Sequence, residues 1–121
     1  MTALRYEKIV DLLAKKTEDN EIEWKESPIS DIYQVSFANY SLTISEVYNS
    51  RQDVTDYVVS ILNSEGNMVD SFSDVDLDKS SGGTRYLSIL RDLYQNARRQ
   101  ALGVDKALDE ILKELDDDLP F

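Results

Sequence analysis

Residues 33–45 have the sequence YQVSFANYSLTIS, in which two runs of alternating apolar and polar side chains flank the pair Ala38-Asn39. Alternation of this kind over about four to eight residues is typical of a strand with one buried face. A two-residue gap that contains asparagine indicates a tight hairpin turn, because asparagine tolerates positive φ. The stretch therefore predicts two antiparallel strands, and their buried face is expected to contain Tyr33, Val35, Phe37, Tyr40, Leu42 and Ile44.

More strands are predicted on both sides of this hairpin. Before it, Ile22 and Trp24 share one face of a short strand. After it come a polar loop over 46–54, a strand rich in β-branched residues over 55–62, and a turn at 64–67 onto a last strand at 68–72. Four or five antiparallel strands in meander order fit these turns.

Helical periodicity is found towards the two ends of the chain. Apolar residues spaced three and four apart predict a helix from about Ala3 to Lys16 and a second helix over 84–102. Between the sheet and the second helix, residues 74–83 are predicted as an acidic connection rich in Ser and Gly. Gly103 is expected to end the second helix. A third, shorter helix then carries an apolar stripe, which consists of Leu108, Ile111, Leu112 and Leu115.

These elements predict an α+β fold. Its parts are an N-terminal helix, a four- to five-stranded antiparallel meander, and a C-terminal helix followed by a short helix and an acidic tail. We expect a single α+β domain over residues 1–102, with the short amphipathic helix and the acidic C-terminal docking tail over 103–121. Three interpretations of the apolar stripe are open: it docks within the fold, it forms a dimer seam, or it binds a partner. Docking within the fold is the interpretation that the pattern favours slightly.

The composition excludes several classes of function. The chain of 121 residues has 13 Lys and Arg against 24 Asp and Glu, a net charge of −11, with no cysteine and no histidine. The absence of these two residue types excludes disulfide frameworks, thiolate chemistry, zinc sites of the usual ligand types and histidine-based catalytic triads. The acidic balance argues against direct binding of nucleic acid, which needs a basic face. No spacing of carboxylates marks an acid–base pair, so we expect neither enzymatic activity nor a cofactor.

We also expect a soluble, cytoplasmic protein that does not enter a membrane. The longest unbroken apolar run is only a few residues long, which is too short for a membrane-spanning helix. The first ten residues carry charges at Arg5, Glu7 and Lys8 and lack the apolar core of a signal peptide.

An acidic repeat resembles the start of a calcium-binding loop. Asp74, Asp76 and Asp78 have the spacing of the first EF-hand ligands, but Lys79 and Arg85 occupy the positions where such a loop needs Gly and a bidentate Glu. We therefore expect a solvated acidic loop and no metal site. Residues 81–84 precede a helix, as in phosphate-binding loops, but no P-loop lysine follows, so a helix entry is expected.

Aromatic residues on the predicted strands provide a candidate stacking platform for nucleic-acid bases. Aromatic residues at alternating strand positions are more often part of a core or of cross-strand pairs. No basic set accompanies them on these strands, so we expect the structural role for Trp24, Tyr33, Tyr40, Tyr48, Tyr57 and Phe72.

The sequence ends in an acidic run and an apolar segment, Asp116-Asp117-Asp118-Leu119-Pro120-Phe121. An acidic terminus is usually only a solubilising tail. In this tail, Phe121 suits an apolar pocket while its α-carboxylate pairs with an Arg or Lys at the rim. Pro120 restrains the backbone and lowers the entropy lost on binding. The three aspartates suit a basic ridge on a partner, where they would speed association.

These six residues resemble the C-terminal tip of bacterial single-stranded DNA-binding proteins, which ends in an acidic run, an aliphatic residue, Pro and Phe. In that family the tip docks on genome-maintenance proteins: repair helicases, nucleases, recombination mediators and replication-restart factors. The resemblance implies that Phe121 is the anchor, that Pro120 and Leu119 contact the partner, and that Asp116, Asp117 and Asp118 lie on basic residues. The family's DNA-binding barrel and long Gly-rich linker are not evident in this sequence.

The leading hypothesis is therefore a non-enzymatic interaction protein of bacterial or phage origin. Its tip would dock on, or compete for, proteins that bind the tail of the single-stranded DNA-binding protein. Two alternatives act through the body. One is a small binding or inhibitor module, such as a ligand sponge, and it predicts a concave pocket on the sheet. The other is an acidic mimic of nucleic acid, for which the tip is dispensable.

Overall fold

The computed structural model of the chain describes residues 2–81 and 85–117. In this part of the chain, helices and strands follow in the order α1 (Thr2–Glu18), β1 (Lys25–Glu26), β2 (Tyr33–Ser36), β3 (Tyr40–Asn49), β4 (Val54–Asn63), β5 (Met68–Ser73), α2 (Asp74–Ser81), α3 (Arg85–Leu102) and α4 (Val104–Asp117). The strands form one antiparallel sheet in the order β1-β2-β3-β4-β5. The predicted α+β fold, with its meander between an N-terminal helix and C-terminal helices, is confirmed.

The central hairpin lies where the alternation predicts it. Ser36 pairs with Ser41, and the Phe37 amide donates a hydrogen bond of 2.8 Å to the Tyr40 carbonyl, so Ala38 and Asn39 form the turn. Positive φ is not the reason for this turn, because Asn39 is not among the described residues with positive φ. Phe37 and Tyr40 were expected to be buried, but they are 50% and 54% exposed at the end of the hairpin.

The predicted polar loop over 46–54 is wrong for most of its length. Strand β3 continues to Asn49, and its last residues pair with β4 from Tyr57 back to Val54. Burial does not drive this extension, since Val47 and Tyr48 are 48% and 62% exposed. The antiparallel hydrogen-bond ladder and the β-propensity of these side chains continue the strands beyond the core. The connecting turn is shortened to residues 50–53.

The core lies between one face of the sheet and helices α1, α2 and α3. Buried side chains from all these elements form one cluster, which includes Val10, Leu13, Trp24, Tyr33, Val35, Leu42, Ile44, Tyr57, Val59, Phe72, Leu77, Tyr86, Leu90, Leu93, Tyr94 and Ala97. Ring stacking reinforces it, with 4.2 Å between the ring centroids of Tyr6 and Phe72. Burial of this apolar surface is the main stabilising contribution to the fold.

The segment before β1 is held by side chains instead of a strand ladder. Strand β1 covers Lys25–Glu26, so the prediction of a strand through Ile22 and Trp24 is displaced. The Gln100 side chain accepts a hydrogen bond from the Trp24 amide at 2.9 Å and donates one to the Ile22 carbonyl at 3.0 Å. The Trp24 indole donates to the Thr17 hydroxyl at 2.9 Å. These contacts join α1, the segment and α3.

Helix α2 occupies residues that were predicted as an acidic connection. Ser73 and Asp76 form a reciprocal capping pair at its start: the Asp76 amide donates to the Ser73 hydroxyl, and the Ser73 amide donates to the Asp76 carboxylate. Leu77 is buried and attaches the helix to the core. The connection was predicted as a loop because its polar composition hides both the cap and this single apolar anchor.

A candidate partner-binding arm and a groove on the sheet

Helix α4 leaves the body at a single residue. Gly103 has a φ of +66°, a conformation that ends α3 and that residues with a side chain rarely adopt. Helix α4 starts at the next residue, Val104, and spans 14 residues. Arg99 pairs with Asp105 across the bend at 2.8 Å, but both side chains are at least half exposed. The described part of α4 is thus an arm attached to the body at its first turn.

The apolar stripe of α4 is open to solvent. Leu108 is 49% exposed, Ile111 54%, and Leu112 and Leu115 are each 56% exposed. The prediction that the stripe docks within the fold is therefore wrong. Helix α3 already directs its apolar residues into the core, among them Leu90, Leu93 and Ala97.

The last turn of α4 is acidic and contains no basic residue. The acidic residues Glu114 and Asp116 lie towards its C-terminal end, and every residue from Asp105 to Asp116 is exposed. At the other end, the bend lies beside the exposed Arg98 and Arg99 of α3. Acidic side chains near a helix C-terminus repel its partial negative charge. This acidic end is therefore suited to contact a positive surface.

The predicted tip is only partly described. Asp116 lies exposed within α4, and Asp117 is the last residue of the helix. Asp118, Leu119, Pro120 and Phe121, which include the predicted anchor, lie outside the described residues. A helix of 14 residues is about 21 Å long at ~1.5 Å per residue. The arm therefore places the start of the tip well away from the bend at Gly103.

A shallow groove of about 780 Å³ crosses the outer face of the sheet. Its lining comes from the β1–β2 connection, strands β2 to β5 and the turns at 37–40 and 63–68. The more exposed apolar members are Ile29, Phe37, Tyr40 and Met68. Ser, Thr, Asn and Gln side chains supply polar groups, and none of the described lining residues is charged, although 31% of the chain is charged. The groove suits an uncharged ligand or surface.

The three aspartates of the EF-hand-like repeat have separate structural contacts. Asp74 is 3% exposed and accepts a hydrogen bond from the Tyr57 amide at 2.8 Å, beyond the end of β5. Asp76 belongs to the capping pair with Ser73. The Asp78 carboxylate accepts a hydrogen bond from the Tyr86 amide at 2.9 Å, in the first turn of α3. Helix formation has turned the repeat into contacts for neighbouring backbone groups, contrary to the expected solvated loop.

Burial raises the pKa of the Asp74 carboxyl above its usual value, and the nearby charges of Asp56 and Asp78 act in the same direction. The hydrogen bond from the Tyr57 amide opposes this shift because it stabilises the carboxylate. Within residues 2–81 and 85–117, no three Asp or Glu side chains are grouped so that they could hold a metal ion.

The aromatic residues are divided between core and surface. Trp24, Tyr33, Tyr57 and Phe72 are buried, as expected for a structural role. The remaining two members of the candidate platform are exposed: Tyr40 lines the groove, and Tyr48 donates a 2.5 Å hydrogen bond to Asp53 in the β3–β4 hairpin. The described aromatic residues therefore do not form one continuous stacking surface.

In the part of the chain that is described, no helix has the length and apolar character needed to cross a membrane. Comparison with protein-family models, curated proteins and solved structures gives no match for this chain. The partner-binding arm and the groove are therefore interpreted from their own chemistry.

Proposed function

We propose that this protein is a non-enzymatic interaction protein of bacterial or phage origin, which acts in the cytoplasm. Its tip, residues 116–121, docks on genome-maintenance proteins that bind the tail of the single-stranded DNA-binding protein, or competes with that tail for them. The observation that supports the proposal is the sequence DDDLPF at the end of an exposed acidic helix. The described part of the arm is exposed from Asp105 to Asp116, and this favours access by a partner.

Three kinds of group contribute to the proposed contact with the partner. Phe121 enters an apolar pocket, and its α-carboxylate pairs with a basic side chain at the rim of that pocket. Leu119 and Pro120 cover the pocket and limit the entropy that is lost on binding. Asp116, Asp117 and Asp118 lie against a basic ridge, where they increase the association rate and make it dependent on salt.

The test is displacement of a fluorescent peptide that carries the single-stranded DNA-binding protein tip from a purified tip-reading helicase or nuclease. The full chain should displace the peptide, and removal of Phe121 should weaken displacement about thirtyfold, which corresponds to ~2 kcal/mol for a binding hot spot. Extension of the chain beyond Phe121 should be nearly as damaging, because it removes the carboxylate from the anchor.

A matched control separates the tip from the general acidity of the arm. Asp109→Asn with Glu110→Gln removes two charges from α4 without changing the tip, and it should leave displacement nearly unchanged. Asp117→Asn with Asp118→Asn should weaken binding modestly and reduce its salt dependence. If removal of Phe121 has no effect on displacement from any tip-reading protein, the proposed anchor is wrong.

The sheet groove favours a second candidate function, that of a small binding or inhibitor module acting through the body. Exposed Phe37 and Tyr40 offer aromatic faces, and the neighbouring hydroxyl and amide groups offer hydrogen bonds without charge. Such a lining suits a neutral polar ligand, for example an uncharged saccharide. A panel of neutral oligosaccharides, monitored by amide chemical shifts, should perturb residues of the groove, and Tyr40→Ala should abolish this effect. Absence of perturbation by every member of the panel would reject the saccharide form of this candidate.

A further inference from the structure

We infer that the apolar stripe of α4 binds the α4 helix of a second copy of this chain, in an antiparallel pair. The inference does not depend on the tip, and it starts from the exposure of four large aliphatic side chains on one helix face. An isolated helix of about 12 to 15 residues is marginally stable in water. A helix of 14 residues with one end attached at a bend therefore gains stability from any surface that covers its apolar face.

The spacing of the apolar residues is that of a two-helix seam. Val104, Leu108, Ile111 and Leu115 are separated by four, three and four residues, which are the alternating spacings of a coiled-coil heptad. Leu112 widens the apolar face on one side and Ala107 on the other. Most charged residues lie on the opposite face of the helix: Lys106, Asp109, Glu110, Lys113 and Asp116. Two such helices make contact without bringing these charged side chains into the seam.

The charge distribution favours the antiparallel orientation. In a parallel pair, the acidic C-terminal ends of two α4 helices lie side by side and repel each other. In an antiparallel pair, Glu114 of one copy approaches the N-terminal end of the other helix, where the partial positive charge of the backbone and the exposed Arg98 and Arg99 outweigh Asp105. Across the seam, Asp105 then flanks Leu112 of the second copy, and Ala107 flanks its Glu114, so no like charges face each other.

The size of the seam sets the strength of the pair. A seam about 21 Å long and one helix face wide buries less surface than a standard stable interface, which covers ~800 Å² on each partner. The net charge of −11 on each copy also opposes association. We therefore expect a reversible dimer, half formed at roughly 10–100 µM, in the range of weak association.

The experiment is sedimentation equilibrium of the full chain over roughly 5–300 µM, a range that brackets this affinity. The weight-average mass should rise with concentration from near that of one chain towards that of two. Ile111→Asp with Leu115→Asp should remain monomeric, while near-ultraviolet circular dichroism, which reports on the aromatic residues of the body, stays unchanged because both side chains are exposed. Lys113→Asp is the matched control: it changes the net charge by the same amount on the opposite face and should still dimerise. A monomer at all concentrations, or a dimer that survives the double substitution, would overturn the inference.

The orientation is tested by disulfide trapping, since the chain has no cysteine of its own. Val104→Cys and Leu115→Cys lie at opposite ends of the seam. Under mild oxidation, a mixture of the two variants should form a cross-linked heterodimer, while each variant alone should cross-link far less. Efficient cross-linking of each variant with itself would indicate a parallel pair and contradict the proposed orientation.

A chain that is monomeric alone but binds a basic protein through this stripe would overturn the self-association and assign the surface to another partner.

Discussion

Asp74 shows how one buried carboxylate completes the edge of a ladder. Strand β5 ends at Ser73, opposite Val58, so the Tyr57 amide has no strand partner in β5. The Asp74 side chain accepts this amide at 2.8 Å and at 3% exposure is almost fully buried. A buried amide that loses its acceptor costs about 1–3 kcal/mol, which explains why a carboxylate is kept there despite the cost of burying it.

Asp74→Ala should lower the free energy of unfolding by about 1–3 kcal/mol, because it leaves the Tyr57 amide without its acceptor. Asp74→Asn keeps an oxygen acceptor and should cost less. The pKa of Asp74 is raised above 3.8 in the folded state, so the folded protein holds the proton more tightly than the unfolded chain. This stabilising contribution is complete below pH 3.8 and is lost as the pH rises through the raised pKa.

Urea unfolding of wild type and Asp74→Asn at a series of pH values measures this contribution. The stability of wild type relative to the Asn variant should decrease as the pH increases through the raised pKa. A relative stability that increases with pH in this range would mean that the carboxyl pKa is lowered by its hydrogen bond.

Tyr94 is a second residue whose environment predicts a titration. Burial, followed by the neighbouring Tyr33, raises the pKa of its phenol to about 12, and its hydroxyl donates a 2.8 Å hydrogen bond to the Asp31 carbonyl. The folded-state pKa is above the usual value of 10.0, so its stabilising contribution is complete below pH 10.0 and is lost as the pH rises towards 12.

Alkaline titration by phenolate absorbance should show a late-ionising component that is missing from Tyr94→Phe. The same substitution should lower the free energy of unfolding by about 1 kcal/mol, the net contribution of one hydrogen bond. An unchanged titration curve in the Phe variant would show that another tyrosine is responsible for the late component.

At the scale of elements, α2 decides whether the acidic repeat is a metal site. Its first and third aspartates bind backbone amides at Tyr57 and Tyr86, and its second forms the cap with Ser73. Calcium binding would require these groups to leave their present partners and converge. We therefore expect millimolar calcium to leave the thermal midpoint unchanged. Separately, Ser73→Ala should lower the free energy of unfolding by about 1 kcal/mol, because the cap of α2 is lost.

Calorimetric titration with calcium, alongside thermal unfolding, checks this expectation. Magnesium at the same ionic strength is the control for nonspecific screening of acidic charge. A stoichiometric calcium signal that disappears in Asp76→Asn would contradict the structural assignment of the repeat.

The same elements show what the sequence alone predicts. The hairpin around Ala38-Asn39 and the helices α1 and α3 were predictable, because the apolar periodicity that indicates each of them is contained within a short stretch of sequence. Helix α2 was missed, although Ser73 and Asp76 have the spacing of a capping box. The Gln100 contacts with Ile22 and Trp24 join residues more than 70 positions apart, so no local pattern indicates them.

The partner-binding arm and the sheet groove were less predictable from the sequence than the fold. Periodicity identified α4 and its apolar stripe, but whether a helix face is covered depends on what the remaining chain leaves free. The sheet groove was equally hidden, since its uncharged lining comes from segments between Ser27 and Met68 that meet only in the folded sheet. The tip remains a prediction from its sequence motif, because its anchor lies outside the described residues.

At the scale of the whole molecule, a packed body and an exposed arm meet at one glycine. The core consists of residues between Val10 and Ala97, and no residue from Asp105 to Asp116 is buried. The described ion pair across the bend, Arg99 with Asp105, is solvent-exposed, and such pairs contribute about 0–1 kcal/mol. The arm is therefore free to change or bind partners with little effect on the body.

A chain that ends at Gly103 should consequently fold like the full protein, because it keeps the core and the residue that ends α3. Its free energy of unfolding should fall by less than about 1 kcal/mol, the upper value for the exposed ion pair that is lost. Thermal unfolding and near-ultraviolet circular dichroism measure this. The comparison should use dilute protein, since a dimer formed through α4 adds apparent stability at high concentration. The full chain with Ile111→Asp and Leu115→Asp is the matched control, because it retains α4 and lacks only the proposed seam. If the shortened chain unfolds far below this control, then α4 supports the body through contacts beyond the exposed ion pair, and the division at residues 102–103 is wrong.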